Sequence, residues 1–249
     1  MQLWTAAHAK TLPLSLLAMI VIGIALRLVI GKKSIKIRMI PLQIIAILLV
    51  VLEIGKQYYS FTHGYDLYHI PLHYCSLFIF AVPLMAFYTG KGYEKVRAVG
   101  AGFCGAMATL LLIYPNLIYG DWNIENFFKG YLDLHTVAFH NLVLFAFVLI
   151  LALDLHTPEN NREQKYPVWA TIGFCVISAT AANILKVNYA NFYECNIPPL
   201  EAVRVAVQNA AGYVAAQILY VCIVSALTVL YTWGAYWLYR LLRKATAIK

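Results

Sequence analysis

The chain has 249 residues, of which 62% are hydrophobic and 12% are charged, and its mean hydropathy is +0.70. A composition this apolar excludes an ordinary soluble domain and indicates a membrane protein with several spans. The net charge of +8 does not indicate nucleic-acid binding, because the basic residues stand in short segments beside apolar runs, where they suit anionic lipid headgroups.

Seven apolar stretches are long enough to cross a hydrocarbon core, which takes about 20 helical residues. They lie at 12–30, 39–60, 68–88, 96–115, 133–153, 167–187 and 205–239. The runs are continuous, whereas β-barrel strands alternate apolar and polar residues. The sequence therefore predicts an all-α polytopic bundle of about seven transmembrane helices that forms one domain over residues 1–249. The last stretch exceeds one span, so we expect it to tilt or project.

The distribution of basic residues predicts the orientation of the bundle. With the amino end outside, thirteen of the nineteen Lys and Arg residues fall on the inner side: Lys32, Lys33, Lys36, Arg38, Lys91, Lys95, Arg97, Arg162, Lys165, Arg240, Arg243, Lys244 and Lys249. Positive charges are retained on the cytoplasmic side of membrane proteins, so this asymmetry favours N-out and C-in. The sequence does not indicate which membrane holds the protein.

The five cysteines predict neither a metal site nor a disulfide framework, because they show no CxxC pattern and no paired His/Cys spacing. Cys104 stands in the small-residue stretch 100–106, which favours close helix approach. The connection at 115–132 mixes aromatic and charged residues, and it is expected to form an interfacial hairpin or a short amphipathic helix.

Polar residues gather in the predicted outer halves of the spans, and the inner halves are nearly featureless. The outer set comprises Glu53, Lys56, Gln57, Asn183, Lys186, Gln208 and Asn209. Polar groups are costly at membrane depth, so one outward-facing polar cavity that satisfies most of them is expected. Glu53 and Lys56 are also spaced i,i+3, and the alternative is an ion pair that only neutralises itself.

Cys75 and His140 are the predicted catalytic residues. With a rise of ~1.5 Å per helical residue, Cys75 lies about 10 Å below the outer end of the third span, and His140, which enters from the same side on the fifth span, lies at about the same depth. A thiol with an unperturbed pKa of ~8.5 needs a base, which an imidazole at equal depth would supply.

Other residues are candidates for binding substrate, orienting the base or stabilising an oxyanion: His69, His73, Lys56, Asn183, Gln208 and Asn209. His69 and His73 are four residues apart, so they are predicted to share a helix face and are also alternative bases. The competing interpretation of this histidine pair is that headgroups or loop carbonyls satisfy it at the membrane interface.

Three segments carry a family resemblance: Ile-Pro-Leu-His-Tyr-Cys-Ser at 70–76, the stretch 135–140 with a histidine at each end, and Val-Asn-Tyr at 187–189 before two prolines at 198–199. In this order they resemble the YwaF/transmembrane protein 164 family of integral membrane proteins. Its eukaryotic branch is associated with acyltransferase activity on phospholipids through a cysteine in the Pro-Leu-His-x-Cys element and a histidine. The resemblance implies Cys75 as the nucleophile, and depth selects His140 as the histidine.

The leading hypothesis is a thiol acyltransferase that moves a fatty acyl chain from a phospholipid donor to a lyso-lipid or another acceptor through an acyl-cysteine. A lipid donor requires no soluble cofactor. A lipid ester hydrolase, in which water accepts the acyl group, is the alternative enzyme. A transporter or small-molecule receptor with an outward-facing polar cavity is the alternative from another class, and the oligomeric state stays open.

Overall fold

The computed structural model describes residues 3–119, 129–158, 160 and 162–246. Within these ranges the chain forms nine α-helices and no strand. The helices are α1 Ala6–Ile30, α2 Ile35–Thr62, α3 Phe78–Phe87, α4 Tyr93–Ile113, α5 Pro115–Tyr119, α6 Tyr131–Ala152, α7 Lys165–Leu185, α8 Pro198–Ala211 and α9 Tyr213–Thr246. In the described ranges, six of them are long and apolar enough to cross a membrane, namely α1, α2, α4, α6, α7 and α9. The predicted polytopic helical bundle is confirmed.

The third predicted span, at 68–88, is wrong in its first half. Residues 63–77, called here the Cys75 segment, contain only two short 3₁₀ turns, Leu67–His69 and Tyr74–Leu77, before α3 begins at Phe78. Pro71 explains the interruption, because a proline disfavours helical backbone at the residue before it, and Ile70 has φ −57° and ψ 133°. The depth estimate for Cys75 therefore rests on a helix that does not exist.

The same interruption separates the two histidines that were predicted to share a helix face. His69 ends the first 3₁₀ turn, and His73 caps the second with extended backbone, φ −80° and ψ 155°. The prediction of a common face is wrong, because the i,i+4 rule holds only where the backbone between the two residues is helical.

The last apolar stretch, predicted as one helix over 205–239, is divided at Gly212. This glycine has φ 87°, a backbone conformation that a residue with a Cβ rarely adopts, and it separates α8 from α9. None of the residues of α8 is buried. Gln208 and Asn209 consequently lie on this peripheral helix, whereas the sequence placed them at the outer start of a span.

Helix α4 lies at the centre of the packing, and its glycines set how closely its neighbours approach. An added Cβ on Gly100 would lie 2.7 Å from Met85 of α3, and one on Gly102 would lie 2.7 Å from Pro167 of α7. Small residues promote this packing between membrane helices, where dispersion contacts replace the hydrophobic effect. Cys104 is fully buried in the same stretch, in agreement with its predicted packing role.

Two arginines satisfy carbonyl groups at one end of the bundle. This basic end comprises residues 27–38, 91–97, 152–158, 162–166 and 240–246. Arg27 donates through Nη1 to the carbonyls of Ala152 at 3.4 Å and Thr246 at 2.8 Å, and Arg38 donates to Leu153 at 2.8 Å. The last carbonyls of a helix have no intrahelical partner, so these bonds satisfy the ends of α6 and α9 and fasten α1 and α2 to them.

The predicted interfacial element at 115–132 begins with α5, Pro115–Tyr119. Its remaining part, at 120–128, lies outside the described residues.

Replacing Gly102 by alanine tests the packing of α4. The new methyl group meets the rigid ring of Pro167, so the helices must separate, and overpacking of this kind costs about 1–3 kcal/mol. Gly173→Ala in α7 is the matched control, because its added Cβ meets nothing within 4 Å and alanine favours helix by about 1 kcal/mol. Thermal unfolding in detergent should show a lower midpoint for Gly102→Ala only. Equal midpoints for the two variants would contradict the close approach.

Candidate functional site

The end of the bundle opposite to the basic end is called here the histidine end. It comprises the carboxyl-terminal half of α2, the Cys75 segment and the start of α6. One face of α2 contacts most of the polar residues at this end. Glu53, Lys56, Gln57 and Ser60 follow the i, i+3, i+4, i+7 spacing of a single helix face. The buried Glu53 carboxylate contacts Lys56 Nζ at 2.8 Å and accepts from Gln57 Nε2 at 2.8 Å. The ion pair predicted from the i,i+3 spacing is therefore present.

Gln57 and Ser60 hold the Cys75 segment against α2. Gln57 Nε2 also donates to the carbonyl of His69 at 2.7 Å, and its Oε1 accepts from the hydroxyl of Tyr65 at 3.0 Å. Ser60 Oγ is 2.7 Å from His69 Nδ1. A backbone without helical hydrogen bonds needs such partners inside a membrane protein, so the polar face of α2 substitutes for the missing helix. His69 acts here as an anchor of the segment.

Helix α6 brings two buried histidines to this face. His135 Nε2 lies 3.5 Å from Glu53 Oε2, and the hydroxyl of Tyr131 donates to the carbonyl of Leu52 at 3.0 Å. One turn deeper, His140 Nδ1 is 2.6 Å from the carbonyl of Thr136. A carbonyl only accepts, so Nδ1 carries the hydrogen and Nε2 is the basic nitrogen.

The second nitrogen of His140, Nε2, has a different environment from Nδ1. It is buried, and among the described residues it has no hydrogen-bond partner. The whole residue is only 6% exposed. A buried imidazole whose one nitrogen is fixed and whose other nitrogen is unoccupied is oriented to accept a proton.

Cys75 is half-buried in the second 3₁₀ turn and is within electrostatic range of Lys56 and Glu53. Lys56 is also within that range of His140 and of His73. The predicted nucleophile and base therefore share one cationic neighbour on α2. Among the described residues no hydrogen bond joins Cys75 to His140, so their direct pairing stays a prediction.

His73 makes its direct contacts with Tyr68 and with the loop after α7. Its Nε2 is 3.1 Å from the carbonyl of Tyr68, and its ring meets the edge of Tyr189 at a centroid distance of 5.5 Å. The hydroxyl of Tyr189 in turn donates to the carbonyl of Leu67 at 2.5 Å. Burial lowers the pKa of the His73 imidazole, so the ring is neutral at neutral pH.

The amide of Asn183 braces the same loop. Its Nδ2 donates to the carbonyls of Ala179 at 2.8 Å and Phe192 at 3.2 Å, and its Oδ1 accepts from Gln217 Nε2 at 2.9 Å. Both donor hydrogens are thus engaged within the protein. Gln208 and Asn209 have exposed side chains on α8, and the structure does not bring them to the Cys75 segment.

Several residues beside His140 were missed in the sequence. The ring of Tyr119 stands edge-on to His140 at 5.9 Å, and its hydroxyl accepts from Asn141 Nδ2 at 3.2 Å. His8, fully buried at the start of α1, has its ring 5.8 Å from that of Tyr119. The available signal was a polar residue in or beside an otherwise apolar run: His8 just before the first run, Asn141 in the middle of α6 and Gln217 near the start of α9.

Comparison with known proteins identifies one family. A family model described as the TMEM164 family matches residues 3–232. No curated protein and no solved structure matches the chain.

Substituting Gln57 by alanine tests whether α2 holds the Cys75 segment. The change removes the hydrogen bond from Gln57 to the His69 carbonyl and the hydrogen bond from Tyr65 to Gln57. Two bonds of about 1 kcal/mol each correspond to about 30-fold faster exchange of the backbone amides in the Cys75 segment. Hydrogen–deuterium exchange of the peptide over 65–73 measures this effect. Gln208→Ala, an exposed amide on α8, is the control and should leave the segment unchanged. Unaltered exchange in Gln57→Ala would show that other contacts hold the segment.

Proposed function

Because the chain belongs to the TMEM164 family, we propose that it is a membrane-embedded thiol acyltransferase in which Cys75 carries the acyl group and His140 acts as the base. The donor is a phospholipid and the acceptor a lyso-lipid or another hydroxyl or amine. The observation that carries the proposal is the state of His140: its Nδ1 is fixed by the Thr136 carbonyl, and its buried Nε2 has no hydrogen-bond partner among the described residues.

The first half of the reaction acylates the cysteine. His140 Nε2 takes the thiol proton, and the sulfur of Cys75 attacks the ester carbonyl carbon of the donor. The tetrahedral intermediate collapses, the bond from carbon to the lipid oxygen breaks, and a thioester remains on Cys75. The imidazolium returns its proton to the departing alkoxide, which leaves as a lyso-lipid.

The second half transfers the acyl group and restores the enzyme. His140 Nε2 takes the proton of the acceptor hydroxyl, the acceptor oxygen attacks the thioester, and the carbon–sulfur bond breaks. The thiolate of Cys75 then recovers the proton from the imidazolium. No proton or electron is gained or lost over the cycle, so no cofactor is needed.

Lys56 is assigned the role of favouring negative charge on Cys75, against the opposing influence of the nearby Glu53 carboxylate. Its ammonium is within electrostatic range of both Cys75 and His140, and it is held there by Glu53 at 2.8 Å. A fixed cation favours the thiolate and the oxyanion of the tetrahedral intermediate. Asn183 is the weaker candidate for this role, because its amide hydrogens are already bound by carbonyls.

Hydrolysis is the second candidate, because water that reaches the thioester replaces the lipid acceptor without any change in the residues. The two reactions differ in the product, a free fatty acid for hydrolysis and a remodelled phospholipid for transfer. A transporter or receptor forms no covalent intermediate at all.

Substitutions at the two reacting groups test the mechanism. Purified protein given a phospholipid should gain the mass of one acyl chain, and Cys75→Ala should abolish both this adduct and turnover. His140→Gln should lower the turnover rate by about 10²- to 10⁴-fold, the usual loss for a general base, because the thiol stays protonated. Intact-mass spectrometry and lipid product analysis are the measurements.

The controls use residues of the same type away from the group. Cys222→Ala removes an exposed cysteine on α9, and His63→Gln removes an exposed histidine directly after α2. Both should keep full turnover. Full lipid turnover by Cys75→Ala would overturn the thiol mechanism, and loss of the adduct without loss of turnover would point to water activated by a histidine.

The orientation N-out and C-in completes the proposal and puts the histidine end on the non-cytoplasmic side. Cys195 is partly exposed in the loop after α7 at that end. A membrane-impermeant maleimide should label it in intact cells, and Cys195→Ser should remove that labelling. Lys33→Cys, in the same Cys195→Ser background, should be labelled only after permeabilisation. The reverse pattern would invert the orientation.

A further inference from the structure

A second buried group of ionisable side chains lies at the basic end, far along the chain from the Cys75 segment and independent of the proposed reaction. His156, in the connection between α6 and α7, is only 2% exposed and stands between two carboxylates. Its Nδ1 is 3.6 Å from Glu94 Oε2 of α4, and its Nε2 is 3.4 Å from Glu163 Oε2.

The two ring nitrogens of His156 differ in their contacts. On the Nε2 side, the hydroxyl of Tyr236 is 3.2 Å away and itself donates to Glu163 at 3.3 Å. The imidazole, the phenol and the Glu163 carboxylate therefore all contact one another. On the Nδ1 side the only close acceptor is Glu94, and Nδ1 has no hydrogen-bond partner among the described residues. A distance of 3.6 Å is too long for a hydrogen bond.

These contacts place a hydrogen on Nε2, where Tyr236 and Glu163 accept it, and leave Nδ1 facing Glu94. A neutral imidazole has one N–H donor, whereas an imidazolium has two. In the neutral ring the lone pair of Nδ1 therefore faces a carboxylate oxygen, which is unfavourable. A proton on Nδ1 reverses this contact, because the nitrogen then becomes a cationic donor directed at Glu94.

We propose that His156 is a proton-operated tie between α4 and the start of α7. On the Nε2 side, Glu163 and Tyr236 contact the ring. Protonation at Nδ1 adds a charge-assisted hydrogen bond to Glu94, which draws the first turn of α4 onto the connection at 152–164. The Glu94 side chain is 38% exposed, so protons from solvent reach the group.

The surrounding side chains hold the ring in place in both states. Tyr239 donates to the backbone carbonyl of His156 at 2.6 Å and stacks on the ring at 11°. Tyr236 of α9 and Pro167 of α7 both approach Gly102 of α4, so the tie acts where these three helices meet.

The charged and titratable groups around His156 come from every neighbouring element. They are Glu94 and Arg97 of α4, Asp154 and Glu163 of the connection, and Tyr236, Tyr239, Arg240 and Arg243 of α9. Arg97 competes for Glu94 from 3.7 Å, and Arg243 is occupied by Asp154 at 3.0 Å. In the described ranges, no group of three or more His, Cys, Asp or Glu residues is placed to hold a metal ion.

Hydrogen–deuterium exchange in lipid nanodiscs tests the tie. The amides at 93–99 in the wild-type protein should exchange about two- to tenfold more slowly at about pH 5.5 than at about pH 8, after correction for intrinsic exchange rates. This is the factor expected for one net hydrogen bond. The two pH values lie on either side of the range in which an imidazole ordinarily gains a proton. His156→Gln keeps a donor but does not titrate, so the difference between the two pH values should disappear. Glu94→Gln should remove it as well, with His156 intact.

His63→Gln, at the opposite end, is the control and should keep the wild-type difference. Glu94 is partly exposed, so Glu94→Gln remains informative if His156→Gln does not fold. The proposal is overturned if the wild-type amides show no dependence on pH. It is equally overturned if the dependence survives in Glu94→Gln, since the tie would then run to another group.

Discussion

A buried carboxylate, Glu53, imposes the arrangement of the histidine end. An ionised group inside a membrane bundle is costly unless partners surround it, and here Lys56, Gln57 and His135 do so from two helices. Because Gln57 also binds the His69 carbonyl, the same set of bonds fixes the irregular segment that carries Cys75. One charge on α2 thus links α6, the Cys75 segment and the proposed reacting groups.

The basic end satisfies its polar groups by a different route. There the arginines of α1 and α2 donate to backbone carbonyls at the ends of α6 and α9, and Arg243 pairs with Asp154. The positive-inside pattern assigns basic side chains to lipid headgroups, but these arginines bind groups of the protein itself. Lipid-facing helices need such polar contacts with their neighbours, because their apolar side chains contact lipid as favourably as they contact one another.

Close packing at α4 connects the two ends. Its glycines bring α3 and α7 to distances that any side chain would prevent, and Tyr236 of α9 packs against the same surface. A rigid central helix keeps the two polar groups in fixed relation, while the charges themselves lie near its ends. The proposed chemistry and the proposed proton tie therefore occupy separate ends of one packed core.

The sequence by itself determined the class of fold and most spans, because long apolar runs have no other stable form in lipid. It also determined the Glu53–Lys56 pair, which depends only on local helical spacing. Only the tertiary structure decided the interruption around Pro71, the break at Gly212 and the contacts of His8 and His156. The contacts of His8 and His156 depend on partners more than 60 residues away in sequence, such as Tyr236 for His156, 80 residues distant. Local periodicity carries no information on such pairs, since it reports which face a residue occupies and not which helix meets that face.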